Sequence, residues 1–234
     1  MTSPKPRIAV LISGSGSNLQ ALLEAQAQGN LAGEISAVIS NRATAYGLRR
    51  AAAAGVEQHI IDHRNYPDRQ SFDAALAAKI TASGADVVVL AGFMRILTPV
   101  FIEPFWGHLV NIHPSLLPEF RGLHTHDRAL EAQVKEHGCT VHFVTPELDA
   151  GPSIIQGVIQ VHPADTSQTL QQRTQRMEHR IYPLAVDWLS SGRLVLDGEI
   201  PRLDGAPLHS PIRLEEPTET ANDDQKGNLD AKTT

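Results

Sequence analysis

Arg7-Ile-Ala-Val-Leu-Ile12, followed at once by Ser13-Gly-Ser-Gly-Ser-Asn18, decides how this chain is read. The first six residues have the length and apolar character of a strand covered on both faces. Two glycines then let the backbone turn tightly, and Leu19, Leu22 and Leu23 open a helical pattern directly behind them. Strand, glycine loop and helix form the first part of a βαβ unit, and the N-terminal half keeps that rhythm. Ile35–Ile39, Glu57–Ile61 and Asp86–Leu90 read as strands. Ala43–Ala54, stopped by Gly55, and Asp68–Ser83 read as the helices between them. Such alternation predicts a parallel sheet with right-handed crossovers and helices on both faces.

Beyond Leu90 the rhythm changes. His108–Ile112 reads as a strand that leaves through a long loop to Leu123, and Thr125 caps a helix running to about His137. Cys139–Thr145 and Ser153–His162 are strand-like and joined by a loop that holds Asp149. With no helix between them, they form an antiparallel pair. Thr166–Ser190 is the last long helix and Arg193–Leu196 a final short strand. The expected fold is α/β, a single Rossmann-like three-layer domain over residues 1–208. Its sheet is mostly parallel in the N-terminal half, with an antiparallel strand in the C-terminal half. From His209 the chain is polar, charged and proline-containing, which predicts a disordered tail over 209–234.

The totals narrow the function. At 234 residues the chain has room for one domain of ordinary core size. A net charge of −6 provides no basic field for nucleic acid. Cys139 is the lone cysteine, which excludes a disulfide framework and a cysteine-based zinc site. His124-x-His126 has no acidic or thiol partners at zinc-like spacing, so no metal is expected. Neither a signal-type apolar segment nor a run of membrane-spanning length is present, and the cytoplasm is the default location.

Ser13–Asn18 lies between a strand and a helix start, where free N–H groups and close backbone approach suit a phosphate. A tight turn with an ordinary serine cap is the plainer alternative. Leu19 stands where a dinucleotide fingerprint has its third glycine, and Ser40-Asn41-Arg42 offers no acidic residue for a ribose. A Walker loop lacks its Gly-Lys-Ser/Thr. A monophosphate therefore fits Gly14, Ser15, Gly16, Ser17 and Asn18 better than a dinucleotide or ATP.

The chemistry concentrates in Val110-Asn-Ile-His-Pro-Ser-Leu-Leu-Pro118. Alternation places Asn111 and His113 on one face, and Pro114 and Pro118 stiffen the exit. An amide can hydrogen-bond an oxygen gaining charge, and an imidazole can move a proton near neutral pH. Asp149, in Glu147-Leu-Asp-Ala-Gly-Pro152, could fold back over that strand end and favour the imidazolium. The residues alone leave two alternatives: an ordinary turn for Asp149, and a satisfied polar strand end for Asn111 and His113. His142 alternates with apolar neighbours and reads as a core histidine, with His137 near a helix end and His179 on a helix. No nucleophile elbow is present, which favours direct transfer between two bound molecules.

Over about Arg7 to Pro201 the chain resembles the phosphoribosylglycinamide formyltransferases. The resemblance rests on ordered blocks: Ile12–Leu19, Val89-Leu-Ala-Gly-Phe-Met-Arg-Ile-Leu97, Asn111–Pro118, Gly122-Leu-His-Thr-His126, and Val141–Val144 leading to Asp149–Pro152. It implies 10-formyltetrahydrofolate as donor and the amine of glycinamide ribonucleotide as acceptor, within de novo purine biosynthesis. Gly14 to Asn18 match the family's substrate-phosphate loop. Met94, Arg95, Ile96, Leu97, Asn111 and the loop around Asp149 match its folate pocket. Arg69 matches a folate-binding position, and Arg95 is placed to meet the folate's glutamate carboxylate. Glu178 matches a position that contacts the ribonucleotide. Asn111, His113 and Asp149 match the catalytic set. Glu119-Phe-Arg121 departs from a common Lys-Tyr-Pro and affects loop shape only. A formyltetrahydrofolate hydrolase carries a further N-terminal domain, for which a strand beginning at Arg7 leaves no room. A non-catalytic nucleotide-binding module would have no use for all three polar groups. The expected partners are the two small-molecule substrates, with no nucleic acid or membrane and a monomer or homodimer.

Overall fold

The side chains of β1 (Arg7–Ile12) show how the layers arise. Ile8, Val10 and Ile12 point into one core, Ala9 and Leu11 into another, and all five are buried. A strand with two buried faces needs a helical layer on each side. The computed structural model describes residues 4–217 and supplies both. In chain order come α1 (Ser17–Ala27), β2 (Glu34–Ser40), α2 (Gly47–Ala53), β3 (Glu57–Ile60), α3 (Arg69–Ala82), β4 (Val87–Leu90), the short α4 (Pro99–Ile102) and β5 (Leu109–His113). Then follow α5 (Thr125–Glu131), β6 (Glu136–Phe143), β7 (Ser153–Gln160), α6 (Ser167–Ser190), β8 (Leu194–Asp197), β9 (Ile200–Leu203), β10 (Ala206–Pro207) and β11 (Ile212–Glu215). Helices α1, α2 and α6 close the first core. Helices α3 and α4 close the second.

The main sheet runs β11-β7-β6-β5-β4-β1-β2-β3. Every neighbouring pair is parallel except β5–β6 and β6–β7, so β6 alone runs against the rest. The expected fold class stands, including the antiparallel strand in the C-terminal half. Chain order reverses between β1 and β4, and ligands of open α/β sheets bind outside the strand ends at such a point. Tyr182 of α6 braces this region: its hydroxyl donates to the Leu90 carbonyl at 2.7 Å, with the Val110 carbonyl at 3.2 Å.

Four local expectations are corrected. The helix after Thr125 stops at Glu131, because Gln133 takes a left-handed φ of 51° and breaks the spiral. His137 therefore belongs to strand β6, and the residue capping α5 is His124, whose side chain makes no cap bond. Helix α2 starts at Gly47 rather than Ala43, its amide held by the Gly14 carbonyl at 3.0 Å. The final short strand is the edge of a separate antiparallel sheet, β10-β9-β8. The tail expected from His209 is not wholly irregular: Ile212–Glu215 pairs in parallel with β7 and extends the main sheet. Arg173 bonds Asp165 and Glu216, and Arg213 bonds Glu136, which fastens that added strand. The remainder of the expected tail, 218–234, lies outside the described residues.

Candidate active site

Ser13 joins the two halves of the site. Its hydroxyl donates to Asn41 Oδ1 at 2.6 Å and accepts from the Met94 N–H at 2.8 Å, while its own N–H donates to the Gly92 carbonyl at 3.2 Å. The glycine loop after β1 is thereby tied to the loop after β4. Gly16 caps α1 in a left-handed conformation with φ 70°, and no side chain satisfies the first helical amides. Those N–H groups are what an anion binds. A Cβ at Gly16 would meet the Gly47 Cα at 2.6 Å, so the start of α2 packs against the loop from behind. Arg50 donates to the Ser15 carbonyl at 3.0 Å, a neighbour that sequence reasoning missed. Ser17 Oγ accepts from Gln175 at 2.9 Å, and Asn18 Nδ2 donates to Glu178 Oε2 at 2.8 Å. Burial raises Glu178 to about 7 against that one opposing bond.

Two strands away, the C-terminal end of β5 carries Asn111 and His113. His113 Nδ1 lies 3.4 Å from Asp149 Oδ2, and Nε2 lies 3.0 Å from the Phe120 carbonyl. Both neighbours are hydrogen-bond acceptors, so they hold the plane of the ring from its two ends. Asp149 itself takes a left-handed φ of 49°, and its Oδ2 also accepts from the Gly122 N–H at 3.0 Å. Asn111 Nδ2 lies 3.2 Å from His142 Nε2 across the β5–β6 register. His142 Nδ1 meets the Phe143 carbonyl at 2.9 Å and must donate there, which leaves Nε2 as an acceptor for Asn111. Burial pushes His142 down to about 4, so its 3.9 Å approach to Asp149 is not an ion pair. The core histidine is thus buried and satisfied as expected, and it also fixes which way the Asn111 amide faces. The signal for it was register: once β5 and β6 pair, positions 111 and 142 oppose each other.

The structure brings the three predicted polar groups together. Asn111, His113 and Asp149 line one cleft of about 580 Å³, beside Met94, Arg95 and Ile96. A narrower slot of about 90 Å³ adjoins it, walled by Phe93, Ile96, Leu97, Ile102, Val144 and Leu148, with Asn111 at the junction. Apolar walls close together suit a flat heterocycle. Met94, Ile96, Leu123 and Leu148 stay exposed around the mouth, Leu123 at 71%. Arg95 lines both spaces, its guanidinium 5.8 Å from the centre of the Phe72 ring. Arg69 is not brought in: it stands exposed on the first turn of α3 and lines neither space. Among the described residues no group of three or more His, Cys, Asp or Glu is placed to hold a metal ion, and no helix is long and apolar enough to cross a membrane.

A glycine loop at the switch point, tied to an amide–imidazole–carboxylate set near a neighbouring strand end, has the chemistry of a group-transfer enzyme. The chain belongs to the formyl transferase family, which matches residues 6–186. It is 48% identical to the phosphoribosylglycinamide formyltransferase of Escherichia coli over 201 residues, 86% of this chain and 95% of that one. It is 45% identical over 192 residues to the human trifunctional purine biosynthetic protein adenosine-3, covering 82% of this chain and 19% of that longer protein. The solved phosphoribosylglycinamide formyltransferase of Coxiella burnetii superposes with a TM-score of 0.85 at 48% identity, covering 89% of this chain and 99% of that one. The transformylase of Symbiobacterium toebii superposes at 0.83 with 48% identity, over 86% and 95% of the two chains. Within the family its place is among the phosphoribosylglycinamide formyltransferases, enzymes of purine biosynthesis.

Proposed function

We propose that this protein transfers the formyl group of 10-formyltetrahydrofolate to the amine of phosphoribosylglycinamide, giving formylglycinamide ribonucleotide and tetrahydrofolate. The observation that carries the reading is the meeting of Asn111, His113 and Asp149 in one cleft, adjoining both an apolar slot and the back of an anion loop. Gly14 to Asn18 and the start of α1 hold the phosphate, and Glu178 meets the ribonucleotide next to it. Met94 to Leu97 and the loop at Asp149 hold the folate. The acceptor amine attacks the formyl carbon. The amide hydrogen of Asn111 not taken by His142 and, once the ring gives up its contact with the Phe120 carbonyl, the Nε2–H of His113 stabilise the oxyanion. As the new C–N bond forms and the bond to N10 breaks, His113, or a water between it and Asp149, carries the proton from the amine to N10.

The test follows folate absorbance with 10-formyltetrahydrofolate, adding and omitting the ribonucleotide. Formyl loss only in the presence of ribonucleotide supports the proposal. Release without it would make the protein a hydrolase. Binding of both ligands without turnover would make it a non-catalytic module.

A further inference from the structure

We infer that His126 is an additional substrate-binding residue, presenting a neutral Nε2–H to the cleft for an uncharged oxygen acceptor, an amide carbonyl of one of the two substrates. The inference rests on the transfer reaction proposed above. His126 lies on α5, in a motif the mechanism does not otherwise use. Its Nδ1 is 3.0 Å from His137 Nε2, with the two rings edge to face at 5.1 Å. A contact that short between two ring nitrogens holds one proton.

The position of that proton follows from the far side of the pair. His137 Nδ1 is buried in β6 with no hydrogen-bond partner among the described residues. An orphaned lone pair costs less than an orphaned N–H, so His137 carries its proton on Nε2 and donates to His126. His126 Nδ1 is then the acceptor, and the neutral ring must carry its own proton on Nε2. Burial keeps both rings neutral: it lowers His126 and, ahead of the repulsion from His126 and His113, takes His137 to about 4. His126 Nε2 keeps solvent access, and no group among the described residues bonds to it. The ring lines the same cleft as His113 and Pro114. The cleft carries the Arg95 cation as well as the carboxylates of Asp127 and Asp149, and an uncharged N–H donor such as His126 Nε2–H suits an uncharged acceptor among them.

Two measurements test this on the full chain. Nitrogen-15 NMR of the unsubstituted protein should show Nε2–H, with a bare Nδ1, for both His126 and His137. In steady-state assays, H126F should raise KM for one substrate about fivefold to tenfold, the loss of one hydrogen bond, with a smaller change in kcat. The substrate whose KM moves is the one that supplies the carbonyl. H137L, which frees the His126 ring, should raise the same KM by less. A proton on His126 Nδ1, or an unchanged KM for both substrates in H126F, would overturn the inference. The tautomer is read without any substitution, so it decides even if a variant fails to fold. Absence of turnover in the unsubstituted protein would instead sink the reaction on which the inference rests.

Discussion

Asn111 has two amide hydrogens, and the structure commits one of them to His142. That leaves one for the cleft and prevents the amide from turning its oxygen inward. H142F removes the acceptor and lets the amide flip. We expect kcat to fall roughly tenfold, well short of the ~10²–10³ expected on deleting an oxyanion donor outright in N111A. Equal losses in the two variants would mean that His142 does more than orient. Asp149 permits a cleaner cut between charge and shape. Its φ of 49° is tolerated by Asn but strains Ala. D149N should therefore lower kcat by about two orders of magnitude with an unchanged Tm, whereas D149A should lower both. Near-normal turnover in D149N would remove the carboxylate from the mechanism. The three polar positions were legible in the sequence because each sits in a short, chemically dense motif. His142 and the Phe120 carbonyl were not, since their parts depend on strand register and on a loop conformation set at φ 52°.

Among the elements, the contact between α2 and the glycine loop argues most directly for a phosphate site. Three glycines stand there in different steric settings. A Cβ at Gly14 meets nothing within 4 Å. At Gly16 it would press on the Gly47 Cα at 2.6 Å, in a backbone conformation that L side chains avoid. At Gly47 it would meet Ile12 Cδ1 at 2.5 Å. G14A should then fold normally and raise KM for the ribonucleotide while sparing the folate. G16A and G47A should each lose about 1–3 kcal/mol of stability as well. Melting curves and KM values for both ligands check this. A folate KM that rises in step with the ribonucleotide KM in G14A would place the phosphate elsewhere. The start of α2 at Gly47 was not legible because Ala43–Tyr46 lacks any helix-breaking residue; what stops the helix there is a hydrogen bond to a loop more than thirty residues earlier in the chain. Likewise nothing glycine-like announced the end of α5, where Gln133 takes the left-handed turn that glycine usually supplies.

For the molecule as a whole, the parallel half was readable because each of its inner strands is apolar on both faces, a pattern that few other structures share. The small sheet β8–β10 and strand β11 were not. Their strands are short and half-exposed, so two or three alternating residues are all the signal they carry. The buried titratable groups give the fold a pH dependence whose sign can be worked out. Burial holds His137 and His142 from 6.5 down to about 4. Their contribution to stability is complete above 6.5 and is lost as pH falls through 4. Glu178 is raised from 4.5 to about 7, so its contribution is complete below 4.5 and is lost as pH rises through 7. Each shift corresponds to at most about 3 kcal/mol, and two oppose one. From these three groups the protein should therefore lose on the order of 3 kcal/mol between pH 7 and 4.5, and the lowered His59, His126 and His179 add to that loss. E178Q abolishes the opposing gain, so its loss over the same range should be steeper, while at pH 7.5 it should be more stable than the unsubstituted protein. Urea unfolding at pH 7.5, 6 and 4.5 measures both slopes. Rising stability toward pH 4.5 in the unsubstituted protein would mean that the buried histidines accept protons without cost, and the neutral pair at His126 and His137 would fall with it.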